Sequence, residues 1–217
     1  IVMAEDGKKM SKRLRTYTPP DTLIDTYGAD ALRLYLIHSG LVKAEAQRFS
    51  DQGVRDVARK VLLPWYNACK FFTTYAAIDK WSVETNTHAP ETILDRWLVS
   101  RCEGLKDQID QHMTAYRLDH VVPALLHFIE ELTNCYVRLN RNRFWASGLA
   151  QDKCAAYSTL HTVLQHFAQL MAPFAPFLSD YLYQQLQAFD PADQVESVHL
   201  TAYPLPTRKH RDPMLEE

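Results

Sequence analysis

The chain has 217 residues, long enough to bury a sizeable core in one or two units. A hydrophobic share of 47% beside 23% charged residues excludes a disordered chain, and a net charge of -2 excludes a global field for polyanions, so any nucleic-acid contact has to be local. The four cysteines (Cys69, Cys102, Cys135 and Cys154) stand far apart with neither zinc-ribbon nor redox spacing, which reads as packed, reduced thiols in a cytosolic, cytoplasmic setting.

No apolar stretch has the length to span a bilayer and no signal peptide opens the chain. Ile1-Val2-Met3-Ala4 reads instead as the end of a buried strand, so the chain is expected to be a piece of a larger protein. Next comes Asp6-Gly7-Lys8-Lys9-Met10-Ser11-Lys12-Arg13, with a glycine, a hydroxyl and four cations and no acid after Asp6. Such a run can be a solvated surface loop. It is also what phosphate chemistry requires: ammonium groups that follow developing negative charge, on a backbone able to bring them in.

From Thr18 onward the periodicity is helical. Pro19-Pro20-Asp21 starts a short helix with Leu23, Ile24 and Tyr27 on its stripe, stopping at Gly28. Ala29 to Ile37 is a second helix, dense in leucine and alanine and closing at Gly40; Gly40 to Phe49 is a connection. Ser50-Asp51 caps a long helix with Val54, Val57, Val61, Leu62 and Trp65 on one face and an expected kink at Pro64. Ser82 to Pro90 is the clearest linker-like loop, and a boundary is placed near residues 75–90 or, more loosely, at the kink.

Three long stripes follow: Ile93, Leu94, Trp97, Leu98, Arg101, Leu105, Ile109, Met113; then Leu118, Val121, Val122, Leu125, Ile129, Leu132, Tyr136, Leu139; then Leu160, Val163, Leu164, Phe167, Leu170, Met171. Pro173 and Pro176 end the last, and Phe177 to Leu186 restarts a shorter one. Short connections favour antiparallel neighbours, so the expected fold is mainly α, an up-down helical bundle. Val198 to Tyr203 is a lone strand or an extended strap, and the basic tail from Arg208 to Arg211 is expected to be mobile.

Lys9-Met10-Ser11-Lys12-Arg13 resembles the Lys-Met-Ser-Lys-Ser signature loop of class I aminoacyl-tRNA synthetases. Tyr27 to Arg33, Ala44-Glu45, Arg48-Phe49, Gly53 to Val57, Leu62 to Ala68, Asp95 to Leu98, Tyr136 to Arg141 and Met171 to Phe177 resemble the isoleucyl branch of that class. Arg13 stands where the common motif has serine, as in the eukaryote-like branch. No His-Ile-Gly-His-like string, editing domain or glycine-rich amino-acid pocket is present.

The resemblance implies that residues 1–49 are the end of a Rossmann-type catalytic domain, carrying the signature loop and the following helices. Residues 50–217 are then the helical anticodon-binding domain. The implied activity is that of an isoleucine–tRNA ligase: ATP, with Mg2+, converts isoleucine to an adenylate, and the acyl group passes to tRNA-Ile. The implied partners are tRNA-Ile and the remainder of the catalytic domain, with neither membrane nor DNA. No metal ligands are expected in this chain, and alone it should be inactive.

Within the motif, the resemblance makes Lys12 the first candidate to follow charge onto the departing pyrophosphate and Lys9 the second. Ser11 donates its hydroxyl to ATP or holds the turn, Met10 packs the loop down, and Gly7 lets it close. Arg13 binds phosphate or a carboxylate of the enzyme body. Lys9, Met10, Ser11 and Lys12 are thus the ATP set.

Between Glu131 and Asp152 there is no acid, while Arg138, Arg141, Asn142, Arg143 and Trp145 fall together, a composition suited to unstacked bases. The other reading pairs those arginines with acids of neighbouring helices. Asp30 and Arg33 pin helices, Trp65, Trp81 and Trp97 belong to the core, and the histidines show no metal spacing. The alternatives are a non-catalytic helical RNA-binding module, a protein-binding scaffold, and the related valyl or leucyl enzymes.

Overall fold

Proline, glycine and small polar caps cut the chain into helices almost where the periodicity changes. The computed structural model describes residues 2–14, 16–192, 194–207 and 210–216. A two-residue strand β1 (Val2–Met3) pairs in parallel with β2 (Gln47–Arg48), Met3 opposite Arg48. The lysine loop leaves the carboxyl end of β1. Between the strands lie α1 (Pro20–Tyr27), begun by a proline and stopped by Gly28 at φ 86°, α2 (Ala29–Ile37), and a 3-10 turn Gly40–Lys43.

Ser50 caps α3 (Asp51–Val57) by accepting from the Gly53 amide at 3.1 Å. The expected kink at Pro64 takes a specific form. Proline has no N–H for the carbonyl four residues back. The helix widens into a π-type turn at Ala58–Leu62, where the Leu63 amide reaches the Ala58 carbonyl, and continues as α4 (Leu63–Asp79).

A second widening changes which side chains face inward. After α6 (Ile93–Thr114) and α7 (Leu118–Glu130) the chain passes through a π-type stretch Glu131–Val137 before α8 (Arg138–Trp145). Thr133 donates its hydroxyl to the Ile129 carbonyl at 2.7 Å, and the Arg138 amide reaches Thr133 five residues back. One extra residue rotates the apolar stripe by about 100°. Asn140 and Phe144 therefore turn inward, and Leu139, expected on the buried stripe, is 64% exposed. Ile93 and Met113, also expected on a stripe, are exposed near the ends of α6.

The segment 82–90 is not a free linker. It contains a short helix α5 (Val83–Asn86), its Val83 amide donates to the Phe189 carbonyl, and the His88 amide donates to Ser158 Oγ on α9 (Gln151–Met171). Trp81, buried, donates to the Asn86 carbonyl. The central α9 is buried along most of its length and packs against α6, α4, α8 and α10 (Pro176–Gln187).

The core is continuous from Leu23 to Val198. Trp65 meets Phe167 edge-on at 5.3 Å, and Phe72 sits among Trp81, Tyr157, His161 and Phe189. Asp30 on α2 accepts from the Leu178 and Phe177 amides at the start of α10, and Arg33 donates to the Pro173 carbonyl at 2.9 Å. These bonds join residues nearly 150 positions apart.

Residues 201–207 form an extended strap after a 3-10 turn Val198–Leu200. Tyr203 donates to the Leu170 carbonyl, and Glu103 accepts from both the amide and the hydroxyl of Thr207. Of the basic tail expected to be mobile, Arg208 and Lys209 lie outside the described residues. Arg211 is held, bonding Asp107 at 2.9 Å.

Candidate functional site

The candidate cations fall into two groups. The first is the lysine loop. Its base is tied by local bonds: the Ala4 amide donates to the Lys8 carbonyl, the Gly7 amide to the Ala4 carbonyl, and Met3 and Lys9 form an antiparallel bridge. Gly7 sits at φ 80°, a conformation that favours glycine. Farther along, the Ser11 amide donates to Thr16 Oγ1 at 2.8 Å and the Leu14 amide to Ser11 Oγ at 3.3 Å, so the Ser11 hydroxyl holds the turn.

Met10 is half-buried and packs against the apolar core. Lys9, Lys12 and Arg13 are exposed, and among the described residues no carboxylate pairs with them. Lys8 lies 3.7 Å from Asp6 on the surface, a weak pair in water. The loop therefore presents ammonium groups on a locally folded base, which is what an oligophosphate contact requires.

The second group is on α8. Arg138, Arg141, Asn142 and Trp145 are exposed; Trp145 is 52% exposed and the Arg141 guanidinium lies 5.5 Å from its ring centroid. This is a cation–aromatic surface free to stack on a base.

Arg143 does not belong to that surface. Only 15% of its side chain is exposed, and its guanidinium bonds both carboxylate oxygens of Asp95 at 2.8 and 3.0 Å. It also bonds Asp152 at 2.5 and 2.9 Å, Asn140 at 3.0 Å and the Asp152 carbonyl at 2.9 Å. Its donors are committed within the chain, so the acid-pairing alternative describes Arg143, while Arg138, Arg141, Asn142 and Trp145 stay exposed.

Asp95 has no exposed side-chain surface. It forms a capping box with Thr92 at the start of α6 and accepts from the Tyr136 hydroxyl at 2.7 Å. Burial alone would raise its pKa, but the bonds from Arg143, Tyr136 and the Thr92 amide hold the carboxyl below the usual carboxylate range. Burial likewise works against the charge on Arg143, and its bonds to Asp95 and Asp152 outweigh it and raise its pKa. The clamp joins α6, the π-type stretch, α8 and α9. Nothing local in the sequence pairs Asp95 with an arginine 48 positions away.

A third feature coincides with no sequence-predicted site residue. A cavity of about 650 Å³ lies between α6 and α9 under the strap, lined in part by Lys106, Thr159, His166 and Tyr203. Lys106, 3% exposed, bonds Glu103 at 2.5 Å. Burial drives His166 down to about 4. Cys69, Cys102 and Cys154 are buried and Cys135 is half-buried; burial pushes Cys102 up to about 12, so its thiol stays protonated. Among the described residues no group of three or more His, Cys, Asp or Glu could hold a metal ion, and no helix is long and apolar enough to cross a membrane.

The profile for the anticodon-binding domain of tRNA ligases matches residues 95–217, and the chain belongs to that family. Residues 1–48 match the profile for class I tRNA synthetases of the I, L, M and V group.

Among relatives, the isoleucine–tRNA ligase of Bdellovibrio bacteriovorus is 48% identical over 217 residues, covering 100% of this chain and 20% of that protein. The cytoplasmic isoleucine–tRNA ligase of Schizosaccharomyces pombe is 42% identical over 214 residues, covering 94% and 20%. The chain thus spans about a fifth of the length of these curated relatives. The Agrobacterium radiobacter K84 LeuRS–tRNA–LeuAMS ternary complex shares the fold at TM-score 0.68 and 17% identity, over 98% of this chain and 24% of that one. Mycobacterium tuberculosis methionyl-tRNA synthetase with methionyl-adenylate does so at 0.66 and 15%, over 92% and 43%.

Proposed function

We propose that this chain is the part of an isoleucine–tRNA ligase that brings cations to ATP and holds tRNA-Ile. In this reading residues 1–49 close a Rossmann-type catalytic domain, and residues 50–217 form an antiparallel anticodon-binding bundle. The observation that carries it is the loop with Lys9 and Lys12 exposed and, among the described residues, without a carboxylate partner, in a chain 48% identical along its whole length to an isoleucine–tRNA ligase.

The reaction has two steps. The isoleucine carboxylate attacks the α-phosphorus of ATP; the bond to the bridging oxygen breaks and pyrophosphate leaves with that electron pair. The acyl group then passes from the adenylate to a ribose hydroxyl of tRNA-Ile, releasing AMP. Lys12, and behind it Lys9, neutralise charge on the departing pyrophosphate. Ser11 keeps the turn that separates them, and Met10 seats the loop on the core. Magnesium enters bound to ATP. Arg138, Arg141, Asn142 and Trp145 contact unstacked bases of the anticodon loop, and Arg143 fixes the helix that carries them.

The test is isoleucine-dependent pyrophosphate exchange by the full-length ligase, beside filter binding of tRNA-Ile. Lys12→Ala should depress exchange and leave RNA affinity unchanged; equal losses in both would refute the assignment. The 217-residue chain alone should show no exchange, because it carries only part of the ATP site.

A further inference from the structure

Arg48 is the last residue of β2, paired beside Met3 at the edge of the parallel strands from which the lysine loop departs. Ligands of parallel sheets bind outside the carboxyl ends of the strands. Its backbone is fixed from several directions. Tyr35 donates its hydroxyl to the Arg48 carbonyl at 3.2 Å and accepts from the Ser50 amide at 3.3 Å. The next residue, Phe49, is buried, donates its amide to the Met3 carbonyl at 2.9 Å and meets Tyr35 edge-on at 5.4 Å. Gly53 lets α3 close over this node: a β-carbon there would stand 2.3 Å from the Tyr35 ring.

The side chain, in contrast, is exposed, and among the described residues no carboxylate pairs with it. Its guanidinium lies across the lysine loop. A β-carbon at Gly7 would stand 3.3 Å from Nε and Nη2 and 3.4 Å from Cζ. A rigidly anchored backbone with an uncommitted planar cation, set against the turn of a lysine-rich loop, matches the arrangement that binds phosphate oxygens in a fixed geometry.

We infer that Arg48 is a further oligophosphate-binding residue, contacting the ATP triphosphate together with the lysine loop. The inference rests on the proposed role of that loop. Its guanidinium donates to oxygens of the β- and γ-phosphates while the loop ammonium groups neutralise the leaving pyrophosphate. Arg48 thereby sets ATP affinity rather than amino-acid affinity.

The experiment is isoleucine-dependent pyrophosphate exchange by the full-length ligase, with ATP and isoleucine varied separately, for Arg48→Ala, Arg48→Gln, Arg48→Lys and Lys12→Ala. Arg48→Ala should raise KM for ATP about ten- to hundredfold, the span of a charge-assisted hydrogen bond. KM for isoleucine and tRNA affinity should stay within about twofold of the parent enzyme. Arg48→Lys keeps the charge without the fork and should recover part of the loss. Arg48→Gln keeps a stem against Gly7, so the measurement survives if the alanine variant fails to fold.

An unchanged KM for ATP in Arg48→Gln, with exchange lost in Lys12→Ala, overturns the inference and leaves the loop reading standing. Exchange intact in Lys12→Ala overturns both. Equal rises in KM for ATP and isoleucine also overturn the inference, because they report a general loss of structure.

Discussion

The lysine loop and the clamp around Arg143 treat positive charge in opposite ways. In the loop the backbone is tied and the ammonium groups of Lys9 and Lys12 have no carboxylate partner among the described residues. In the clamp the guanidinium is held by two aspartates, one of them without exposed side-chain surface. An unpartnered cation in water has little effect on folding and is available to an incoming anion. A cation that neutralises a buried carboxylate is part of the fold, and its removal leaves an uncompensated charge. The same contrast recurs within α8, where Arg141 faces outward over Trp145 and Arg143, two positions on, faces inward.

The sharpest test of the contrast is Lys12→Ala in the full-length ligase. Pyrophosphate exchange should fall about a hundred- to a thousandfold, the scale of losing one preorganised donor to a developing anion. Urea unfolding of the same variant should remain within about 0.5 kcal/mol of the parent. A comparable loss of stability would erase the distinction between the two regions.

Arg143→Ala should do the reverse. It leaves Asp95 buried and unpaired, a loss of about 3 kcal/mol in the unfolding free energy of the chain. Arg143→Lys should recover only part of it, since an ammonium cannot bridge both aspartates with the same fork. A stable Arg143→Ala with weakened RNA binding would return Arg143 to the contact surface.

Acid titration separates the committed groups further. The folded pKa of His166 is lowered to about 4 from 6.5, so its proton favours the unfolded chain. That contribution is fully present above about pH 6.5 and is lost as pH falls toward 4. At about 1.4 kcal/mol per unit it amounts to at most about 3.5 kcal/mol. His166→Gln should flatten the chemical-denaturation stability curve through that window. Asp95 acts lower: its folded pKa is depressed, so its contribution is present above 3.8 and disappears as pH falls through the folded value. Asp95→Asn should reduce the dependence below pH 4, leaving the share of Glu103, whose carboxyl is also held low.

The smallest expected effects belong to the outward face of α8. Trp145→Ala and Arg141→Ala should each weaken tRNA binding by about 1 kcal/mol, the lower end of base–aromatic stacking. Thermal unfolding should be unchanged. Unchanged RNA affinity in both would remove α8 from the interface.

Much of this was legible one helix at a time. Pro20, Gly28 and Ser50 mark helix ends through local chemistry, and each stands at or beside the expected boundary. The loop motif was legible because its residues form one contiguous stretch. The inward turn of Asn140 and outward turn of Leu139 were not legible, because a straight helical period does not register the extra residue inserted between Glu131 and Val137. That residues 82–90 are tied down was hidden for a similar reason: the Val83 and His88 amides bond the Phe189 carbonyl just past α10 and Ser158 on α9, which are distant in sequence.

The sequence by itself determined the helices, their caps and the presence of a cation-rich loop, because these depend on residues within a few positions of one another. Tertiary structure alone decided which arginine faces solvent and which is a ligand for Asp95, and it set Arg48 beside Gly7. A charge has no fixed role until folding establishes whether a carboxylate or water stands opposite it.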